Sequence, residues 1–494
     1  MKKPFLHYLS LYIAGMILIS GSILESAAQP SWSKNLPTVG TFSSPRVTDL
    51  NGDGIGDVVI GAGREEFKPC DSAIIALDGK TGEILWKLPA ADQIFGSASL
   101  KDITGDGIMD VFITGRASEF QVINGKTGTI IWKFDDPDKK TRWNKRTWFN
   151  FYNPQFIPDQ NNDGVDDILV SNGGNVRAEP YDPNRPVGHL VVLSSIDGSV
   201  LAFTPVPDGK ETYMSIAAVR SGDGNDMNII YGTGGETIGG SLYVTKLSDV
   251  MKGDISNSVR LDSSPNRGYI GPPAWVDITA DGVPDILDNS VDGRLLAFDG
   301  RTYEKLWQAT MPGTEVYSSI SVGNFNSDDI ADIFVSYGQG VWPALDWTKQ
   351  YMVNGKNGNI EFTDSLGFYQ TSTPVIADFT QDGIDDAFVV INYMVTDSLF
   401  QRFFYHMLAV VDFTRNEMIE LGVNDIGHNL SSTPWIGDMN NDGNIDIVYC
   451  HGTNLRHTYT FDGMNVVKIS TTIPIRREIK WGAYMGSNYD GVFR

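Results

Sequence analysis

The chain has 494 residues, 61 of them acidic and 38 basic, for a formal charge of −23. That balance excludes nucleic acid and anionic membrane surfaces as general partners, because like charges repel. The length alone suggests about three domains, but radial repeats can take up the whole length in one body.

Residues 1–28 read as an export segment. Lys2 and Lys3 precede a mostly apolar run from Phe5 to Leu24, and Ser26-Ala27-Ala28 offers a small-residue cleavage site before Gln29. The run is long for a signal peptide, so an uncleaved membrane anchor is the alternative. Either way the body, residues 29–494, is expected outside the cytoplasm: extracellular, at the cell surface or periplasmic. Membrane contact is expected only through such an anchor.

Acidic clusters then recur along the chain. DLNGDGIGD starts at Asp49, DITGDGIMD at Asp102, DQNNDGVDD at Asp159 and DITADGVPD at Asp277. NFNSDDIAD follows at Asn324, DFTQDGIDD at Asp378 and DMNNDGNID at Asp438. Each comes after a short segment such as SSPRV, GSASL or STPVIA and before a β-branched run such as VVIG or VFITG. That order reads as strand, polar loop, buried strand. A second hairpin with a Gly-bearing turn follows, as in AIIALDGKTGEILWKL, FQVINGKTGTIIWKF and RLLAFDGRTYEKLWQA. Each repeat is therefore about four short antiparallel strands, the size of a propeller blade.

Between Asp159 and Asp277 there is room for one more repeat, MSIAAVRSGDGNDMNIIYGTGG with SLYVTKL, whose acidic loop has decayed. Counting it predicts an all-β fold, a β-propeller of eight four-stranded blades. Seven blades is the alternative if that unit is irregular. In its loop Arg220 stands where the first ligand belongs, which predicts a blade without metal and a guanidinium in the cation's place. SWSKNLPTVGTFSSP near Trp32 matches ILWKLPAADQIFGSAS near Trp86. The chain is thus expected to begin with an outermost strand that completes the last blade and removes an exposed edge. Trp86, Trp132 and Trp307 hold equivalent outer-strand positions and are expected to pack between blades. Cys70 and Cys450 fall in the first and last repeats, where an oxidising compartment permits either a bridge or two free thiols.

The loops carry the pattern D-x-[DN]-x-D-G-x-x-D. Calcium takes six or more hard oxygens, and such a loop offers side chains at positions one, three, five and nine and a carbonyl at seven. The strongest sets are Asp49, Asn51, Asp53, Asp57; Asp159, Asn161, Asp163, Asp167; and Asp438, Asn440, Asp442, Asp446. Three sets have a weaker hydroxyl at position three: Asp102, Thr104, Asp106, Asp110; Asp277, Thr279, Asp281, Asp285; and Asp378, Thr380, Asp382, Asp386. The set Asn324, Asn326, Asp328, Asp332 begins without a carboxylate and has Asp329 in place of the glycine, so it is expected to be weakest. Asp, Asn and Gly also simply favour turns. Recurrence at one phase before a buried strand argues for metal, with up to seven calcium ions bound.

In these loops the chain resembles FG-GAP/VCBS-type calcium-binding repeats, which are also found in integrin α-subunit propellers. The DGKTGEILWK and NGKTGTIIWK hairpins are similar to the repeats of pyrroloquinoline-quinone-type (PQQ-like) propellers. The resemblance implies calcium at the residues just named. A quinone-dependent dehydrogenase of that kind characteristically has adjacent cysteines beside its cofactor, and this chain has none. The closing IKWGAYMGSNYDGVFR is similar to a short tag of secreted propeller proteins.

The longer insertions all belong to the face opposite the acidic loops, and function concentrates in such loops. DDPDKKTRWNKRTWFNFY carries Arg142, Trp143, Arg146 and Trp148; Arg177, Trp342 and Trp347 can share its face. Cations among aromatics suit an anionic glycan or an acidic protein segment, unless the cations pair with Asp136 and Asp138 and the rings cap loop cores. The reading that follows is a monomeric, non-catalytic binding or adhesion module at the cell surface, with a glycan or extracellular protein as ligand. A polysaccharide-lyase-like enzyme, with Arg146 or His451 near its base, and a quinone-dependent dehydrogenase-like propeller are the alternatives.

Overall fold

The computed structural model describes residues 30–221, 226–342, 344–368, 372–457 and 459–494, so residues 1–28, expected from the sequence to direct export, lie outside the described residues. The described residues form eight antiparallel sheets. In the first blade Arg46–Thr48, Asp57–Gly61, Cys70–Leu77 and Ile84–Ala90 are neighbours in that order. First strands of successive blades touch one another, which sets them around the axis of a ring. Burial follows from this placement. Asp57–Gly61 and Asp110–Thr114 are buried throughout, because a middle strand has a neighbouring blade on each face. The outer strand Ile84–Ala90 alternates, with one face on the next blade and one in water.

The decayed unit is a full blade, so the ring has eight blades and not seven. Its acidic corner is braced by the short helix Leu247–Lys252, whose Leu247 and Val250 are buried. Asp226 accepts bonds from the N–H and Oγ of Ser248 at 3.1 and 2.6 Å. Arg220, expected to stand in for a cation, is instead exposed at the end of a strand. The helix occupies the corner, and nothing in the sequence period announced it.

At the seam, Pro30–Pro37 pairs antiparallel with Gly463–Pro474, so the first described strand completes the last blade. Elsewhere tryptophans lock successive blades together. The indoles of Trp86, Trp132 and Trp307 donate to the carbonyls of Gly125, Ser195 and Gly355, each at 2.7 Å. Each ring also lies on a glycine of the neighbouring turn: Gly128, Gly198 and Gly358. Cys70 and Cys450 lie buried in one hydrophobic cluster and are unbridged.

The entry to each first strand holds a second lock. Backbone N–H groups donate to the side chain of the next blade: Thr433 to Ser44, Ser44 to Ser97, Ser97 to Asn153 and Asn153 to Ser215, at 2.9–3.4 Å. The series resumes with Ser319 to Thr373 and Thr373 to Thr433, at 3.0 and 3.2 Å. It breaks at the fifth blade, where Pro272 has neither an N–H nor a side-chain acceptor. Ser319 Oγ donates to the Pro272 carbonyl instead, at 3.1 Å.

Residues 475–494 run along the axis. Trp481 and Val492 bridge to Ile376 and Trp275, and Ile436 N–H donates to Gly482. Arg46 is fully buried there, with its guanidinium 3.9 Å from the Tyr489 ring and bonded to the Tyr484 carbonyl. Burial pushes that guanidinium down to about 10. This segment, to which the sequence assigned no place in the fold, closes the axis of the ring.

Candidate functional site

The acidic loops all join first to second strands and so share one face of the ring. In the first, Asp49 accepts the N–H groups of Gly52 and Gly54 at 2.7 and 2.9 Å, and Asp53 accepts Ile55 at 2.9 Å. Asp57 accepts Leu50 at one oxygen and Gly79 at the other, both at 2.8 Å. Positions four and six are left-handed in six loops: Gly52 and Gly54, Gly105 and Gly107, Asn162 and Gly164, Ala280 and Gly282, Gln381 and Gly383, Asn441 and Gly443. A glycine at position six is therefore a conformational requirement. The Asn324 loop has no left-handed residue, in keeping with Asp329 in that place.

The ninth-position carboxylates are the buried ones. Burial pushes Asp57 up to about 6, Asp332 to about 7 and Asp386 to about 8. First-position carboxylates sit at the surface, where the N–H of Gly107 holds Asp102 low and that of Gly164 does the same for Asp159. The hairpin of each blade reaches back to its loop. Asp78 accepts Asn51 Nδ2 at 3.1 Å, Asn124 donates to Thr104 at 3.3 Å, and Asn354 donates to Asp328 at 3.0 Å. Sequence reasoning missed these partners; the Asp/Asn that opens each DGKTG-type turn was the available signal. The next residue must be glycine, because a Cβ on Gly79, Gly125, Gly300 or Gly355 would lie 1.7–2.0 Å from a carbonyl of the acidic loop.

Among the described residues no group of three or more His, Cys, Asp or Glu stands in metal-holding geometry; the carboxylates are turned onto the N–H groups of their own loops. The donor set is nonetheless all hard oxygen, and Asp167 Oδ1 and Asp386 Oδ1 are buried with no hydrogen-bond partner among the described residues. These loops fit a hard cation. Two of the seven hold a guanidinium already: Arg301 pairs with Asp281 at 2.6 Å, and Arg477 lies 3.5 Å from Asp378, in the same loop as Asp386.

On the opposite face the insertions surround a funnel of about 910 Å³ whose floor includes Tyr484 of the axial segment. Phe42, Phe67, Phe95, Tyr152, Tyr213, Tyr317 and Trp342 supply aromatic walls, and Ser44, Ser97, Asn153, Ser215 and Thr373 of the interblade ring surround its base. Arg177 is exposed at the rim, its guanidinium 4.0 Å from the Phe67 ring and 4.5 Å from Trp143. Arg142 is exposed beside Trp143, and the Trp143 indole bonds to Asn175.

Arg146 and Trp148 are placed differently. Arg146 forms a mostly buried ion pair with Asp136, and Asp138 accepts the Thr147 N–H. Trp148 is 8% exposed, with ring centroids 4.4 Å from Phe203 and 4.7 Å from Phe134. Both hold the insertion onto the blades and present little to a ligand. Trp342 lines the funnel, whereas Trp347 is exposed further out on the same hairpin. His451 is 2% exposed, with its ring nitrogens on Gly452 and Asn465. Phe67 and the tyrosines, absent from the sequence reading, come from separate insertions that only the ring brings together.

No described protein family matches the chain, and no curated protein is detectably similar to it. The fold is similar to that of BamB from Moraxella catarrhalis, with a TM-score of 0.50 and 12% identity over 90% of this chain and 99% of that one. A europium-containing methanol dehydrogenase gives 0.56 and 11% over 91% and 94%. The quinohemoprotein alcohol dehydrogenase from Comamonas testosteroni gives 0.56 and 11% over 92% and 77%. At these identities the likeness is one of fold, and it supports the PQQ-like propeller resemblance. No match speaks for FG-GAP or VCBS repeats.

Proposed function

We propose that the chain is an exported binding module, stiffened by calcium on one face, that holds a glycan or extracellular protein in the funnel of the other. The funnel carries this reading: eight blades converge on one aromatic-walled cavity, with an exposed guanidinium, Arg177, lying against both Phe67 and Trp143 at its rim. Rings of that kind offer flat apolar faces to sugars or side chains, and the guanidinium favours an anionic group. Calcium is proposed at the acidic loops on their recurrence, their shared left-handed positions and the orphaned oxygens of Asp167 and Asp386.

The test is a glycan array, acidic and neutral, probed with wild-type protein and with Arg177→Ala and Trp143→Ala. Binding of an acidic class that both variants lose by about tenfold, without turnover, supports the reading; no binding across the array, or binding indifferent to both residues, sinks the glycan form of it. Release of unsaturated uronides would instead favour a lyase. The similarity in fold to two alcohol-oxidising enzymes favours a second reading, a quinone-dependent dehydrogenase, and dye reduction with added quinone tests it.

A further inference from the structure

We infer that one wall of the funnel is a subsite for an organic ammonium group, formed by Glu236 with the rings of Tyr152, Tyr213 and Tyr317. The inference rests on the reading that the funnel holds a ligand. All four residues line the cavity, and they come from three different blades. The Tyr152 and Tyr213 rings stand edge to face, 6.3 Å between centroids and 70° apart. Burial is the main cause that keeps all three phenols from ionising, and the charge of Glu236 adds to it at each. One carboxylate therefore shares the cavity wall with three aromatic side chains.

The charges around it leave Glu236 as the odd one. Glu211 is buried and lies 3.3 Å from the Arg185 guanidinium. Glu315 pairs with Arg267 at 2.9 Å and accepts the Tyr317 hydroxyl at 2.5 Å. Two carboxylates packed behind this wall thus have their guanidinium, whereas Glu236, which lines the cavity, makes no ion pair among the described residues. It is partly buried and opens on the cavity, so it is less screened than a carboxylate on a convex surface. A single carboxylate among phenol rings suits a hard metal poorly, since calcium takes six or more oxygens. It suits a soft, bulky cation well, because aromatic faces attract the charge while the carboxylate balances it. An amino sugar and a peptide amine share that chemistry.

Titration of the whole protein with choline, glucosamine and N-acetylglucosamine, followed by calorimetry, tests the subsite. Choline and glucosamine should bind in the range of about 1 mM, and neutral N-acetylglucosamine should not. Glu236→Gln should weaken both by about tenfold, with an unchanged melting temperature. Tyr317→Phe, which keeps the ring, should bind as wild type does. Equal binding of glucosamine and its acetylated form, or unaltered binding by Glu236→Gln, overturns the inference. Absence of choline and glucosamine binding overturns it too, and if the Arg177-dependent array ligand is retained, the subsite alone has failed and the funnel reading stands. A glucosamine oligosaccharide set against its N-acetylated form, and a lysine peptide against its acetylated form, separate the two sources of amine.

Discussion

Trp32 donates its indole N–H to the carbonyl of Gly79 across 2.9 Å, tying the outermost strand of the last blade to the turn of the first. The ring of Trp32 also lies against Gly82. This repeats at the seam the lock that Trp86, Trp132 and Trp307 make elsewhere. Trp32→Phe keeps most of the packing and loses the donor, so it should cost about 1 kcal/mol. Gly79→Ala should cost about 3 kcal/mol, since its Cβ would meet the Gly56 carbonyl at 1.7 Å. Equilibrium denaturation measures both, and an equal effect of the two changes would contradict the geometry.

Removal of calcium should lower the melting temperature, because a ligand that binds only the folded ring stabilises it by about 2.7 kcal/mol per site at a hundredfold excess over Kd. Elemental analysis should find up to seven ions per chain. Disabling the Asp159 loop with Asp163→Asn should cost more than Asp328→Asn in the Asn324 loop, which has neither the first carboxylate nor the left-handed turn. Identical melting with and without chelator removes calcium from the account.

The buried histidines should weaken the fold as pH falls from 6.5 to about 4. Burial holds His428 and His189 down to about 4, and holds His406 well below its ordinary range. A histidine whose pKa is lowered by folding takes up its proton more readily when unfolded, so its contribution is present above the unfolded value and is lost as pH falls. Glu211, pushed up to about 7 by burial, acts in the opposite sense between 4.5 and 7, and so do the buried Asp57, Asp332 and Asp386 above 3.8. The histidine share is therefore read by difference: His428→Phe should flatten the slope of melting temperature against pH relative to wild type. An unchanged slope would show that His428 does not contribute.

The interblade ring predicts position-specific costs. Ser97→Ala removes the acceptor of the buried Ser44 N–H and should destabilise by about 1–3 kcal/mol. Ser319→Ala removes only a hydroxyl that donates to the Pro272 carbonyl at the break in the series, and should cost less. Urea denaturation of the two variants, side by side, checks the order.

Trp481→Ala should cost about 3–5 kcal/mol, as the side chain is 1% exposed and packs at the axis between blades. Its loss should also loosen Tyr484 and deepen the funnel, so ligand affinity and stability should fall together.

The blades were legible because the acidic loops repeat at one phase and each precedes a β-branched strand with two buried faces. The seam was legible because Trp32 sits in a copy of the Trp86 segment. What escaped had no period to betray it. Leu247–Lys252 replaces a turn in one blade only, and residues 475–494 follow the last repeat with no counterpart. For Arg146 and Trp148 the sequence left two readings open, and the structure takes the one in which Arg146 pairs with Asp136 and Trp148 packs on Phe203 of a later strand; only the folded insertion decides between them. The recurring Ser, Thr and Asn of segments such as SSPRV and STPVIA were visible, but only ring closure shows that each serves the blade before it.

The pairing of Pro30–Pro37 with Gly463–Pro474 also fixes when the molecule can be finished. A ribosome delivers the first of these strands before the other seven blades and the second after them. Until then the earliest segment waits with its edge bare, and a nascent chain halted early keeps two open edges that invite aggregation. Synthesis through Pro474 is thus a precondition of the join, and a product cut short of it is marked as defective by its own gap.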